Sequence, residues 1–157
     1  NMPAKRWPVA YEAELATELT RRELTVVITG GPEDAPDAAD IAEMAGGGVI
    51  PLAGKVSFAQ SMDIVGNARL FVGADTGLTH VAAALGVPTV AIFGPTNPTR
   101  YRPLGRAVEV CAAPGSPDVA DRDLRKTAAT GATDADVALV TVALVLGAID
   151  RLIEANP

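Results

Sequence analysis

A chain of 157 residues that is 48% hydrophobic can bury a sizeable core as one domain, but with aromatics at only 4% that core must be mostly Ala, Val, Leu and Ile. Thirteen basic against nineteen acidic residues give a net charge of −6, and no basic cluster stands out, which argues against a nucleic-acid groove and a purely electrostatic membrane anchor. One cysteine, Cys111, excludes an internal disulfide and fits a reducing compartment; no signal-peptide pattern opens the chain, and its longest apolar run, Val137 to Ile149, is too short to span a bilayer.

The elements alternate between strand and helix, the pattern of a parallel sheet covered on both faces. A first helix is expected from about Pro8 to Arg22, with Pro8 in the first helical position, where a missing N–H costs nothing. Leu24 to Thr29 reads as a buried strand, Gly30 to Asp34 as the turn after it, and Ala38 to Ala45 as a helix ended by Gly46, Gly47 and Gly48. Val49 to Leu52 is a short strand, followed by Ala53-Gly54-Lys55. Ser57 with Gln60 three residues later predicts a capping box, and the helix it opens ends near Asn67. Leu70 to Ala74 is the next strand, Leu78 to Leu85 a helix stopped by Gly86 and Pro88, Pro88 to Phe93 a strand, and Ala107 to Cys111 a weaker one. Residues 112–132 read as a long surface loop; Thr133 with Asp136 then suggests a second capping box, opening a last helix from about Asp134 to Glu154.

In an open α/β sheet, ligands bind beyond the carboxyl ends of the strands. Four such ends carry glycine: Gly30 to Asp34, Ala53 to Lys55, Ala74 to Gly77, and Gly94 to Asn97. The strongest candidate is Asp75-Thr76-Gly77, where a helix begins and offers unpaired N–H groups and the positive end of its dipole to a diphosphate. Thr76 adds a hydroxyl; Asp75 would repel phosphate and is better suited to orienting the turn or accepting from a sugar hydroxyl. The same residues also make an ordinary helix cap. His80, the only histidine, shares a helix face with Thr76 and could donate to a phosphate or sugar oxygen, although a lone histidine there is more often structural. Glu33 could hold a ribose, or be a solvated acid. Lys5 and Lys55 could neutralise a diphosphate, or be surface charges. Asp121-Arg122-Asp123 and Asp134-Ala135-Asp136 have metal-bridging spacing but stand in a loop and at a cap, so no metal site is assigned. Neither G-x-G-x-x-G nor the P-loop pattern is present.

Four blocks in order carry a resemblance: Lys5-Arg6-Trp7-Pro8; Gly54-Lys55-Val56-Ser57; Asp75-Thr76-Gly77-Leu78-Thr79-His80 running on to Gly86-Val87-Pro88; and Phe93-Gly94-Pro95-Thr96-Asn97-Pro98. From Lys5 to about Pro103, roughly two thirds of the chain, the sequence resembles the C-terminal half of the ADP-heptose:lipopolysaccharide heptosyltransferases, glycosyltransferase family 9. The resemblance implies a Rossmann-like parallel sheet with helices on both faces, the donor-binding half of a GT-B glycosyltransferase. Asp75, Thr76, Gly77 and His80 would then surround the diphosphate and sugar. Lys5 would stabilise the leaving group, Glu33 would hold the adenosine ribose, and Val56 would lie against adenine.

It implies inverting transfer of a heptose or related sugar from an ADP-sugar, which is a substrate rather than a cofactor, to a lipopolysaccharide-core or other glycan acceptor, with no metal. The acceptor, glycan or lipid-linked, and the catalytic base would belong to an N-terminal domain that this chain does not contain; the first strand of the donor domain also falls before Asn1. This chain alone is then expected to be inactive. A cytoplasmic enzyme follows, able to associate peripherally with the inner face of the cytoplasmic membrane and with no nucleic-acid partner. Two other readings of the residues stay open: a nucleotide-sugar epimerase on the same architecture, and a non-catalytic nucleotide-binding module.

Overall fold

The computed structural model describes residues 3–116 and 136–156. Parallel strands joined through helical segments confirm the α/β class, and they fall into two compact units, Pro8–Ile64 and Asn1–Trp7 with Val65–Pro157. The strands form two sheets rather than one continuous sheet: β1-β2 in the first unit and β3-β4-β5 in the second.

In the unit Pro8–Ile64, α1 spans Val9–Arg21. Pro8 stands just outside it, at ψ 132°, as the capping residue and not in the first turn; its carbonyl accepts from the amides of Tyr11 and Glu12 at 2.8 and 3.0 Å. Strand β1 (Val26–Ile28) lies parallel to β2 (Val49–Pro51), with Val26 opposite Val49. β1 is not the buried strand expected: Val27 is exposed, and so is Ile50 opposite it on β2, so the sheet face that these two side chains share is not covered. Helix α2 (Ala35–Met44) starts three residues before the expected Ala38, because Pro32–Asp34 forms a 3-10 turn that feeds straight into it. Its end needs the three glycines, since Gly46, Gly47 and Gly48 all take positive φ (74°, 126° and 73°). The core joins Ala13, Ala16 and Ile41, with Val9, Val26, Ile28, Ala45 and Val49 against them. The predicted capping box at the start of α3 (Phe58–Gly66) forms: the Ser57 amide donates to Gln60 Oε1 at 2.8 Å, and the Gln60 amide donates to Ser57 Oγ at 3.3 Å.

In the other unit, β3 (Phe71–Ala74), β4 (Thr89–Phe93) and β5 (Val108–Ala112) are parallel in the order β3-β4-β5. Every residue of the central strand β4 is buried, as its run Thr-Val-Ala-Ile-Phe requires. Helix α4 (Gly77–Ala84) connects β3 to β4 and ends at Gly86, with φ +82°. Val65, Ala82 and Val87 pack together beneath it with Ala68, Phe71 and Leu78. A four-residue helix, α5 (Pro98–Tyr101), stands where only a Gly-Pro turn was expected; Asn97 Oδ1 accepts from the amides of Thr99 and Arg100 at 2.9 and 3.1 Å, with Pro98 in the first helical turn.

The last helix, α6, spans Val142–Ala155 and starts eight residues later than the expected Asp134. Thr141 is its cap, accepting from the Leu144 amide at 3.3 Å, while Asp136 caps a separate 3-10 turn, Val137–Leu139. The Val140 carbonyl between them accepts from Trp7 Nε1 at 2.8 Å. Thr133, Asp134, the pair Asp121 and Asp123, and most of the expected 112–132 loop lie outside the described residues. Among the described residues, no helix is long and apolar enough to cross a membrane.

Cys111 on β5 is buried against α6, its thiol 3.8 Å from the Leu144 carbonyl. Burial first of all, opposed by Arg151 and helped by Glu109, pushes this thiol up from 9.0 to about 11. Between those values the folded chain keeps a proton that the unfolded chain releases, so stability falls as pH rises through that window. The expected loss is on the order of 2–3 kcal/mol by the upper end. Urea unfolding midpoints at pH 8 and pH 11 check it: the wild type should lose more stability between them than Cys111→Ala.

Candidate functional site

The turn between β3 and α4 is built by threonines. Thr79, fully buried in the first turn of α4, donates its hydroxyl to the Ala74 carbonyl at the end of β3. With that proton committed, Thr79 Oγ1 accepts from Thr76 Oγ1, 3.2 Å away. Thr79 also lies against Gly73, where an added Cβ would stand 2.8 Å from its Oγ1. Thr76 occupies the capping position of α4 in extended geometry (φ −135°, ψ 165°), yet no side chain among the described residues caps the helix. The ordinary-cap reading of Asp75 and Thr76 is therefore not what the residues do, and the first-turn amides keep their partial positive charge. Gly77, the first residue of the helix, is exposed, and a Cβ added there would meet nothing within 4 Å.

Asp75 is turned to a different task. Its Oδ2 lies 2.7 Å from Lys5 Nζ, and its Oδ1 lies 3.7 Å from His80 Nε2, a distance long for a hydrogen bond. The Asp75 side chain is 10% exposed, that of Lys5 20% and that of His80 46%. Lys5 is thus no isolated surface cation. It belongs to a 3-10 turn, Pro3–Lys5, held onto this unit by the buried Trp7 two residues on. The structure brings together Lys5, Asp75, Thr76, Gly77 and His80, five of the seven positions to which the resemblance gives a role. Thr79, which fixes the turn, carried no role in the sequence reading; its place on the inner face of the helix, three residues from Thr76, was the available signal.

Glu33 and Val56 belong to the other unit. Glu33 is exposed in the 3-10 turn before α2, its carboxylate folded back over Gly31, where an ideal Cβ would come within 2.8 Å of both of its oxygens. Val56 is half-buried between Gly54 and α3, and the neighbouring Lys55 is exposed.

Two adjacent parallel strands in register, with Ala74 opposite Ile92, place the Asp75–Gly77 and Gly94–Asn97 turns at the same end of the sheet. The second turn is filled by the chain itself. Gly94 does not face a ligand: a Cβ there would stand 2.7 Å from Val137 Cβ and 3.1 Å from its Cα and N, and Ser116 Oγ donates to the Gly94 carbonyl at 2.7 Å. Gly94→Ala is accordingly expected to cost about 1–3 kcal/mol, because the clash reaches backbone that cannot step aside; thermal unfolding would show it. No group of three or more metal-ligating side chains occurs among the described residues.

Known proteins resemble this chain across its length. The lipooligosaccharide heptosyltransferase 2 of Haemophilus influenzae is 35% identical over 106 residues, 65% of this chain and 31% of that protein. The lipopolysaccharide heptosyltransferase 3 of Escherichia coli is 30% identical over 156 residues, 97% of this chain and 44% of that one. Among solved structures, a glycosyl transferase family 9 protein from Veillonella parvula superposes with a TM-score of 0.81 at 25% identity, over 99% of this chain and 44% of its own. The Escherichia coli heptosyltransferase WaaC with ADP gives a TM-score of 0.78 at 25% identity, over 97% and 41%. The chain therefore spans less than half the length of these relatives. The model of glycosyltransferase family 9 (heptosyltransferase) matches residues 1–129, and to that family the chain belongs.

Proposed function

We propose that this chain is the donor-binding part of a heptosyltransferase, and that the uncapped start of α4 receives the diphosphate of ADP-heptose. One observation carries the reading: Lys5 and Asp75 form a 2.7 Å ion pair beside a helix N-terminus that has no side-chain cap among the described residues and whose first residue, Gly77, is exposed. Amides, helix dipole and an ammonium in one place are what a departing diphosphate requires, since negative charge grows on it as the sugar carbon is attacked. Lys5 supplies a full charge there. Asp75 holds that charge in position and keeps its other oxygen for a sugar hydroxyl. Thr76 and His80 add donors on the same helix face, and the bare Gly77 lets the ligand approach the backbone. Glu33 and Val56 serve the adenosine, as ribose acceptor and as apolar contact. The base that deprotonates the acceptor hydroxyl, and the acceptor itself, belong to a second domain, so transfer needs both parts; the hydroxyl attacks the sugar carbon in one displacement as the carbon–diphosphate bond breaks, which inverts the anomeric centre. The whole enzyme works at the cytoplasmic face of a membrane, and no metal enters the reaction.

Calorimetry with ADP and ADP-heptose tests this. The chain should bind both, in the micromolar to millimolar range ordinary for enzyme substrates, and His80→Ala should weaken ADP-heptose binding. A transferase assay should stay silent until an N-terminal half is supplied. A folded wild-type chain indifferent to both nucleotides would refute the proposal; conversion of ADP-heptose to an isomer by the chain would favour an epimerase.

A further inference from the structure

Between Asp75 and Glu109 the chain carries no acidic residue, and Arg100, Arg102 and Arg106 fall within seven positions of one another, although the whole chain has a net charge of −6. The balance of the full sequence conceals this segment. In the structure it forms a strap from α5 to the start of β5, in the second unit. All three arginines are exposed, as are Tyr101 and Leu104, the latter 82% exposed. No carboxylate among the described residues pairs with any of the three; Arg100 instead stacks over the Tyr101 ring, 5.3 Å from its centre.

The strap is firmly seated. Asn97 caps its first turn, Pro103 in its middle is fully buried, and Gly105 sits so close to α4 that a Cβ would stand 2.7 Å from the Ala83 carbonyl. Two residues beyond Ala83, Leu85 is also exposed. A rigid strap that buries its proline while presenting three unpaired guanidinium groups, a tyrosine and a leucine has no internal reason for that composition. Arginine forks match phosphate, and an aromatic ring with an aliphatic side chain suits the boundary between headgroups and acyl chains.

We infer that the Arg100–Arg106 strap docks on an anionic phospholipid surface, the arginines on lipid phosphates and Leu104 and Tyr101 in the interfacial layer. The proposal is independent of nucleotide binding, since none of these side chains belongs to the Lys5–Asp75 site. Co-sedimentation of the full 157-residue chain with vesicles tests it, comparing phosphatidylglycerol-containing with pure phosphatidylcholine vesicles. The chain should partition to the anionic vesicles and be released by high salt. The triple variant Arg100→Gln, Arg102→Gln, Arg106→Gln should weaken partitioning on the order of 100-fold, from the loss of three basic residues at the surface. Leu104→Ser should weaken it less, and all variants should keep the wild-type circular dichroism and ADP titration. The inference is overturned if the folded wild type stays in the supernatant, or if it binds both vesicle types equally. It is overturned also if the triple variant binds like the wild type, or if soluble poly-glutamate captures the chain as strongly as vesicles do, which would assign the strap to an acidic protein.

Discussion

Asp75→Ala should lower the affinity of the chain for ADP-heptose by about 100-fold or more, the range seen when one member of a close charge pair in a binding site is truncated. Two losses combine. The carboxylate that would accept from the sugar disappears, and Lys5, whose ammonium is held 2.7 Å from Asp75 Oδ2, is set free to swing into solvent. Asp75→Asn separates them: the amide oxygen can still accept from Lys5 but no longer holds it by charge, so its affinity should lie between those of wild type and Asp75→Ala. Lys5→Met should lose affinity for ADP as well as ADP-heptose, because its proposed partner is the diphosphate both share. If Lys5 and Asp75 act as a unit, the double variant will be little worse than the poorer single one. Calorimetry on the four variants and the wild type, with circular dichroism to confirm folding, decides it. Affinities within twofold of wild type for Asp75→Ala would remove the pair from the site.

Trp7→Ala should destabilise the second unit by about 3–5 kcal/mol, the usual cost of deleting a buried indole. In a chain with one tryptophan and three phenylalanines, few side chains could refill the space. Trp7 is buried, and its Nε1 donates to the Val140 carbonyl at 2.8 Å. Trp7→Phe keeps most of the volume and leaves that carbonyl without its donor, so a smaller loss of about 1–3 kcal/mol is expected. Denaturant titration measures both. The consequence reaches the site, because Trp7 is what secures the Pro3–Lys5 turn: Trp7→Ala should weaken ADP binding even where the chain remains folded. Unchanged ADP affinity in that variant would mean that Lys5 is positioned by Asp75 alone.

What could be read from the sequence was what neighbours in the chain decide. Ser57 and Gln60 cap one helix through contacts three residues apart, Gly86 and Pro88 stop another, and the apolar run of β4 demands burial on both sides. The Asp75–His80 turn was legible for the same reason. Asn97-Pro98 was an equally local signal for α5, and it was overlooked in favour of the glycine before it. The start of α6 was misplaced because Val137–Val140 has helical character by composition, whereas the Val140 carbonyl is engaged by an indole 133 positions away. The Lys5–Asp75 pair spans 70 positions, and no periodicity announces it. Gly94 stands in one of the four glycine-bearing strand-end turns, but its place is set by Val137, which comes back from the far end of the chain to pack against it. The exposure of Val27, shared by Ile50 opposite it, depends on what covers that face of the sheet, which is not a property of the segment.

His80 is the sole imidazole in the chain, half exposed, and it stands beside the carboxylate that grips Lys5. In a proton spectrum its ring Hε1, downfield of the tryptophan, tyrosine and phenylalanine ring protons, would give a signal that no other imidazole in the chain can confuse. The molecule therefore carries an unlabelled magnetic observer at the mouth of α4, one whose chemical shifts can be followed through a titration without adding a tag.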